Sequence, residues 1–265
     1  MTRKLLITLT IIFSLQNLNA NDFKDSNEPL NNNFTIEDSS FANEFNSDSL
    51  VETYKEDFDP LEGYNRFMTG FNDKAYEYIL IPVSNGYRTV TPEFFRDGLS
   101  NVLDNLMFPI RFVNNILQLK FENSGIELSR FLINSTIGVA GIFDVASSQF
   151  DLKPKKEDLG QTLGHYGVGE GFHLVLPILG PSNLRDIVGL SFDNVLNPLN
   201  MYYDEKLGYK IPDTSKQELI YNSIYTVNGL PEKMDQYEAV KAGTIDIYPV
   251  LKEFYNKKRE KEINE

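Results

Sequence analysis

Apolar residues recur every three or four positions along much of the chain. The first such stripe contains Leu61, Tyr64, Phe67, Met68, Phe71, Ala75, Tyr78 and Ile79. Three more stripes with this spacing run from Phe94 to Leu106, from Ile110 to Leu117 and from Leu128 to Leu132. This spacing places apolar side chains on one face of a helix. The pattern predicts amphipathic helices joined by short loops, in an all-α fold.

Helix start signals divide the chain further. Asp59-Pro60-Leu61-Glu62 combines an N-cap acid, a proline at the first helical position and the Glu of a capping box. Ser182 predicts a helix over roughly 183–196 that Pro198 ends, and Asp213 and Asp246 predict two more helix starts. There are no eighteen consecutive apolar residues, so we expect no helix that spans a bilayer conventionally.

Glycine recurs between Ile137 and Gly189, where the helical pattern weakens. The segment Gly138–Ala146, GVAGIFDVA, is small and apolar, and it contains two glycines without helical periodicity. We expect a hairpin at this segment, and a static surface turn is the alternative.

The first 57 residues contain two segments of distinct composition. Residues 1–20 have the order of a secretory signal peptide, with Arg3 and Lys4, an apolar run and a polar end at Ala20. Residues 21–57 contain ten acidic residues and seven asparagines without apolar periodicity, which predicts a disordered acidic spacer. We therefore expect the protein to be exported.

Charge and residue usage exclude several classes of function. The net charge of −13 argues against binding to nucleic acid and against electrostatic capture by anionic lipid. The absence of cysteine excludes disulfides, a thiol nucleophile and a cysteine that could carry a lipid anchor. His165 and His173 are eight residues apart, a spacing that suits no helical or strand metal pair. We expect neither a metal nor another cofactor.

Catalytic motifs are incomplete. The glycines of Gly164–Gly171 follow a helical stretch and precede an apolar run with Pro177, the reverse of a dinucleotide-binding context. Gly180-Pro181-Ser182-Asn183-Leu184 lacks the second glycine of a serine hydrolase elbow. A glycosidase with two catalytic carboxylates stays an open alternative, but no feature of the sequence marks one pair among the 38 acidic residues. We therefore expect that the protein is not an enzyme.

Short sequence blocks follow one another across about residues 58–200. The first is DPLEGYNR at Asp59–Arg66, and the longest is RFLINSTIG at Arg130–Gly138. The others are Phe71–Asp73, Pro82-Val83, Gly86–Arg88, Gly98–Asn101, Phe143–Ala146, Gly160–Gly164, Gly167–Gly169, Leu176-Pro177, Gly180–Ser182 and Leu184–Asp186. In order and spacing these blocks resemble the MlaA (VacJ) family of outer-membrane phospholipid-transport proteins. The last helix, Asp246–Arg259, looks like the weaker C-terminal motif of that family.

The resemblance implies a ring-shaped bundle of amphipathic helices in one leaflet of the outer membrane, at its periplasmic face, with a central channel. Residues 58–230 would form the ring, and residues 231–265 a C-terminal helix and charged tail. The implied function is the passage of mislocalised phospholipid from the outer leaflet through the channel to a periplasmic carrier protein, which maintains lipid asymmetry. A trimeric outer-membrane porin is the other implied partner. The alternatives are a scaffolding protein without transport and a lipid esterase.

The resemblance also suggests residues for the implied channel. Family members typically carry a lipidated cysteine directly after the signal, and we expect none here because the sequence contains no cysteine. Candidates for the lipid path are Asn72, Asn134, Thr136, Asp144, Gln161, Thr162 and His165. The alternative for such groups is a buried side chain bonded to a neighbouring loop. Candidates for a gating hairpin are Gly138, Gly141, Ile142 and Phe143.

Overall fold

The computed structural model describes residues 59–200 and 210–265. The predicted signal peptide and acidic spacer lie outside the described residues. A two-stranded antiparallel sheet lies among helices, and the all-α prediction is confirmed. In chain order the elements are α1 (Glu62–Ala75), α2 (Ile81–Val90), α3 (Glu93–Leu106), α4 (Phe108–Leu117), α5 (Phe121–Thr136), α6 (Val145–Phe150), α7 (Leu159–His165), β1 (His173–Leu176), β2 (Gly180–Asn183), α8 (Leu184–Leu196), α9 (Ser215–Lys241) and α10 (Ile247–Asn264).

Predicted helix starts agree with the observed ones to within a few residues. Asp246 caps α10 as expected, since its side chain accepts a hydrogen bond from the amide of Tyr248. The cap of α8 is Asn183 rather than Ser182, and the cap of α9 is Thr214 rather than Asp213. Each cap has a side-chain oxygen that can accept from the first helical turn, so a neighbouring polar residue can take the same role.

The helices α1 and α2 are joined without a loop. The residues between them, Tyr76–Leu80, form one π-helical turn. Pro82, the second residue of α2, cannot donate a backbone hydrogen bond, which favours a local widening of the helix just before it. The result is one continuous helical segment from Glu62 to Val90.

The direction of the first apolar stripe is the reverse of that in a water-soluble protein. Phe67 is 70% exposed and Tyr78 69%, whereas Asn65, Thr69 and Asn72 on the opposite face of α1 are buried. Phe94 on α3 is likewise 78% exposed. Among the described residues, 12 hydrophobic side chains are buried against 28 polar or charged ones. The interior of the molecule therefore consists mainly of polar side chains that are held together by hydrogen bonds.

Two small apolar clusters complement this polar interior. One joins α3 and α4 to the segment after α8 and contains Leu103, Met107, Ile110 and Leu199. The other packs Tyr76 against Met234 and Tyr237 of α9, with the rings of Tyr76 and Tyr237 edge to face at 4.8 Å. No helix in the described ranges is long and apolar enough to cross a membrane.

The C-terminal helix α10 is fixed to the rest of the molecule by a buried ion cluster. Arg259 donates to Asp158, at the start of α7, and to Asp186, in the first turn of α8, at 2.9 Å in each case. Tyr255 also donates to Asp186, at 2.5 Å. The division proposed from the sequence at residues 230 and 231 lies inside α9, which continues to Lys241.

Candidate functional site

A polar cleft lies where α3, α4 and α5 converge. From α3 come Asn101, Asp104 and Asn105, which share one helix face because they are three and four residues apart. The cleft is narrow, with room for little more than one water molecule. The remaining lining residues are Arg111 of α4, Arg130 and Asn134 of α5, and Asp144. All of these side chains are polar or charged, so the cleft is hydrophilic.

Arg111 holds one end of the cleft together. Its Nε donates to Glu127 at 2.7 Å, and its Nη1 donates to Asp104 at 2.9 Å. The Glu127 side chain is fully buried, while that of Asp104 stays 22% exposed. Burial alone would raise the pKa of Asp104, but the charge of Arg111 outweighs it and the pKa lies below its usual value. Asp104 is therefore a carboxylate that is paired on one side and open on the other.

Arg130 and Asp144 form the other end. Asp144 accepts from Arg130 Nη2 at 3.0 Å and from Asn134 Nδ2 at 2.9 Å. It also caps α6, since its Oδ1 accepts from the amide of Ser147 at 3.1 Å. Burial opposes ionisation, but hydrogen bonds from Ser147 and Asn134, together with Arg130, lower the pKa of Asp144. Both of its oxygens are occupied, so Asp144 positions its neighbours.

The glycine-rich segment forms a tight turn beside this cleft. Residues 137–143 are hydrogen-bonded to the end of α5, with the Gly141 amide donating to the Asn134 carbonyl at 2.8 Å. The segment is thus a turn rather than a pair of strands, and the strand pair of the described residues is β1–β2. Gly141 has φ +92°, and a Cβ there would lie 2.9 Å from Cβ of Asn105. Glycine is required for this turn to approach α3 so closely.

One hydrogen bond ties the turn to α3. Asn101 Nδ2 donates to the carbonyl of Ile142 at 3.0 Å. The side chains of Ile142 and Phe143 are 40% and 60% exposed. Gly138 is buried, and a Cβ there would collide with the carbonyl of Phe143 at 2.3 Å. Of the four predicted gating residues, the two glycines therefore shape the turn and the two apolar residues form its outer surface.

Gln161 and Thr162 lie elsewhere, in the contact of α7 with α4 and α8. Gln161 completes a capping box with Asp158. Thr162 donates to Asn114 at 2.9 Å, and Asn114 in turn donates to Asp193 of α8 at 2.9 Å. Burial, and then the charge of Asp158, raise the pKa of Asp193. These side chains join helices, and none of them lines the cleft.

The other candidates are also separate from the cleft. Asn72 donates to the carbonyl of Leu176 at 2.8 Å and accepts from the amide of Ile178 at 2.6 Å, which fixes the β1–β2 hairpin to α1. Thr136 is exposed and bonds its own helix. His165 is exposed against the ring of Tyr166. The structure thus brings together Asn134 and Asp144, and the turn is bonded to the backbone of Asn134.

The sequence interpretation missed three of the four charged residues that line the cleft, Arg111, Arg130 and Asp104. Arg111 lies between Ile110 and Phe112, and Arg130 precedes Phe131, so both interrupt apolar helix stretches. A charge within such a stretch implies a buried partner, and this was the available signal. Their partners, Asp104 and Asp144, come from other elements and could not be assigned from spacing.

His173 is a second buried group that the sequence did not indicate. Both ring nitrogens are buried without a hydrogen-bond partner, and the rings of Tyr248 and Tyr255 lie 6.1 and 6.2 Å away. Burial, and then the charge of Lys252, lower the pKa of His173 to about 4. In the part of the chain that the structure describes, no group of His, Asp and Glu is arranged to hold a metal ion.

Comparisons with known proteins agree with this architecture. A family model described as MlaA lipoprotein matches residues 57–262. A protein of Rickettsia bellii is 32% identical over 200 residues, which cover 75% of this chain and 78% of that protein. The intermembrane phospholipid transport system lipoprotein MlaA of Escherichia coli K12 is 40% identical over 131 residues, 48% of this chain and about half (52%) of that protein.

A solved structure has a similar fold. It is described as the structural basis for maintenance of bacterial outer membrane lipid asymmetry. Its TM-score is 0.62 at 31% identity, and the match covers 78% of this chain and all of that one. The family match spans every described helix and strand except the last residues of α10. The chain therefore belongs to the MlaA family.

Proposed function

We propose that this protein moves phospholipid from the outer leaflet of the outer membrane toward a periplasmic carrier. Its helices would form a ring in one leaflet, with a polar path inside. The observation that carries the proposal is the reversed polarity of the fold, in which apolar side chains face outward and polar side chains face inward. The named function of the Escherichia coli relative, intermembrane phospholipid transport, supports it.

The outward apolar surface fits a lipid environment. Exposed aromatic side chains such as Phe67, Phe71, Phe94 and Phe95 would order water around them in aqueous solution. Large apolar side chains exposed in this number are typical of a membrane or protein interaction site. Hydrocarbon is an equally apolar neighbour, so these side chains lose nothing by facing acyl chains. Embedding in one leaflet needs no spanning helix.

The polar interior fits the passage of a headgroup. A polar group that enters hydrocarbon without a partner costs about 2–7 kcal/mol. Side chains such as Asn101, Asp104 and Arg111 offer replacement hydrogen bonds along the way. The turn at 137–143 contacts Asn101 and Asn105 at the cleft and is the candidate gate. No covalent step is required, so the protein needs no catalytic group, and direction would follow from the affinity of the receiving carrier.

The proposal also assigns location and partners. The predicted signal peptide would direct export, and retention at the membrane would rest on the apolar surface. A porin trimer and a periplasmic lipid carrier are the partners that family membership suggests. A deletion strain should accumulate phospholipid in its outer leaflet, and the wild-type gene should reverse this. An unchanged outer leaflet would contradict the proposal.

A disulfide lock tests the gate directly. A Cβ at Gly98 would lie 3.3 Å from Cγ2 of Ile142, so a Gly98→Cys/Ile142→Cys pair is suitably placed to bond. The native chain has no thiol that would compete. We expect oxidation to block phospholipid transfer and reduction to restore it, with the two single-cysteine variants active under both conditions. Full transfer with the disulfide formed would rule out a moving turn.

A further inference from the structure

The cleft contains hydrogen-bonding atoms that no described residue satisfies. Arg111 uses Nε and Nη1, which leaves Nη2 as a spare donor, and Arg130 Nε is buried without a partner. Asp104 accepts only at Oδ1, which leaves Oδ2 open. Asn101 and Asn105 use their amide nitrogens on Ile142 and Ser135, so both of their carbonyl oxygens are open. The unused donors thus belong to the two guanidinium groups. The unused acceptors belong to side chains on one face of α3.

Charged groups of both signs meet at the cleft. Arg111 and Arg130 are positive, Asp104 and Asp144 are negative, and the buried Glu127 behind Arg111 adds a third carboxylate, so one negative charge is in excess. An anion alone would face the open carboxylate oxygen of Asp104, and a cation alone would face Arg111. A ligand that carries both charges a short distance apart meets an opposite charge at each end.

We infer that this cleft binds a phosphate ester with a primary ammonium group, as in the headgroup of phosphatidylethanolamine. The inference rests on the proposed function and names the lipid class. Arg111 Nη2 would donate to the phosphate. The ammonium group would donate its three hydrogens to Asp104 Oδ2 and to the amide oxygens of Asn101 and Asn105.

The cleft must widen for this headgroup to enter, because it now has room for little more than one water molecule. The neighbouring turn at 137–143 is the segment that would move. Its side-chain link to α3 is the hydrogen bond from Asn101 to Ile142, and its other bonds run to α5 or lie within the turn. An ammonium group that binds Asn101 would therefore disturb the side chain whose hydrogen bond links the turn to α3.

A headgroup series tests the inference on the wild-type protein. Phosphatidylethanolamine, its N-methyl and N,N-dimethyl forms and phosphatidylcholine keep the phosphate and the positive charge but lose N–H donors one by one. We expect the affinity of the purified full chain in detergent, measured by native mass spectrometry, to fall stepwise by about ten-fold or more in total. Equal affinity across the series overturns the inference, and so does the absence of lipid binding.

A charge-removing variant locates the selectivity. Asp104→Asn keeps the shape of the side chain and removes the carboxylate, while Asp151→Asn makes the same change at an exposed residue outside the cleft. We expect the preference for phosphatidylethanolamine over phosphatidylcholine to collapse in the first variant and to persist in the second. An unchanged preference in Asp104→Asn overturns the assignment.

Two further readouts separate this inference from the proposed function. Vesicle transfer that fails for every lipid, while headgroup-selective binding persists, would contradict transport and leave the cleft assignment standing. Free phosphoethanolamine is expected to compete far more weakly than the lipid, because it lacks acyl chains. Competition at equal concentration would overturn the assignment to a lipid headgroup.

Discussion

At the scale of single residues, buried asparagines form much of the interior of the protein. Asn65, Asn114 and Asn115 are fully buried, and each uses its amide on backbone groups. Asn65 donates to the carbonyl of His173 at 3.0 Å and accepts from the amide of Val175 at 2.9 Å, so one side chain fixes a strand of the hairpin. A buried polar group that loses its partner costs about 1–3 kcal/mol. This interior therefore tolerates few exchanges to apolar residues.

His173 makes stability depend on pH. Its pKa is lowered to about 4, mainly because it is buried, whereas the unfolded chain has a value near 6.5. The unfolded state thus binds more protons between these two values, and stability falls as pH falls through this window. Lys252 opposes protonation and Asp59 favours it, while Tyr248 and Tyr255 pack against the ring.

We expect this dependence to disappear in a His173→Phe variant. The wild type should lose about 3 kcal/mol more than the variant between pH 6.5 and 4, measured by urea unfolding in detergent. His165→Phe is the matched control, because His165 is exposed, and it should follow the wild type. Parallel curves for the wild type and His173→Phe would contradict the buried neutral histidine.

At the scale of elements, the contact between the backbones of α7 and α8 depends on two glycines. Gly160 of α7 and Gly189 of α8 face each other, and a Cβ at Gly189 would lie 2.4 Å from the amide nitrogen of Gly160. The backbones therefore touch where α7 and α8 cross. This contact sets the position of Asp158 and Asp186 for Arg259.

Replacing Gly189 by alanine should separate these helices. We expect a loss of about 1–3 kcal/mol in the free energy of unfolding, because the added methyl group meets backbone rather than a movable side chain. Gly125→Ala in α5 is the control, since no other atom lies within 4 Å of the place that its new methyl group would take, and it should gain about 0.5–1 kcal/mol. A Gly189→Ala protein as stable as the wild type would show that the helices can move apart freely.

The positions of helices could be predicted from the sequence better than the contacts between them. Start signals and apolar spacing located α1, α8 and α10 to within a few residues because these signals are local, although α1 begins after Leu61 without the predicted side-chain cap from Asp59. The stripe on α1 could not say whether it faces a protein core or lipid, since both are apolar. In the cleft, Asn134 and Asp144 were predicted, whereas Arg111 and Asp104 were not. The ion pair between Arg111 and Asp104 depends on how α3 packs against α4, and no local sequence pattern predicts that contact.

The apolar surface determines behaviour at the scale of the whole molecule. We expect the exported protein to fractionate with the outer membrane, and its recovery wholly in the soluble periplasm would contradict the proposed location. Phe67→Gln/Phe94→Gln should lower partitioning into phospholipid vesicles by about ten-fold or more, because both aromatic rings are largely exposed. Asn85→Gln/Ser148→Gln, at exposed polar positions, should leave partitioning unchanged.

The ion cluster around Arg259 also has a consequence for the order in which the chain assembles during synthesis. Arg259 follows Asp186 by 73 residues and Asp158 by 101. At about 5–20 residues per second, the ribosome needs roughly 4–15 seconds to add the residues between Asp186 and its arginine. Until then Asp186 has, among the described residues, only the guanidinium of Arg185 as an ion-pair partner, and the ion pair between Arg259 and Asp158 is missing. The ion cluster that joins α7, α8 and α10 is therefore completed late, after most of the chain has been made.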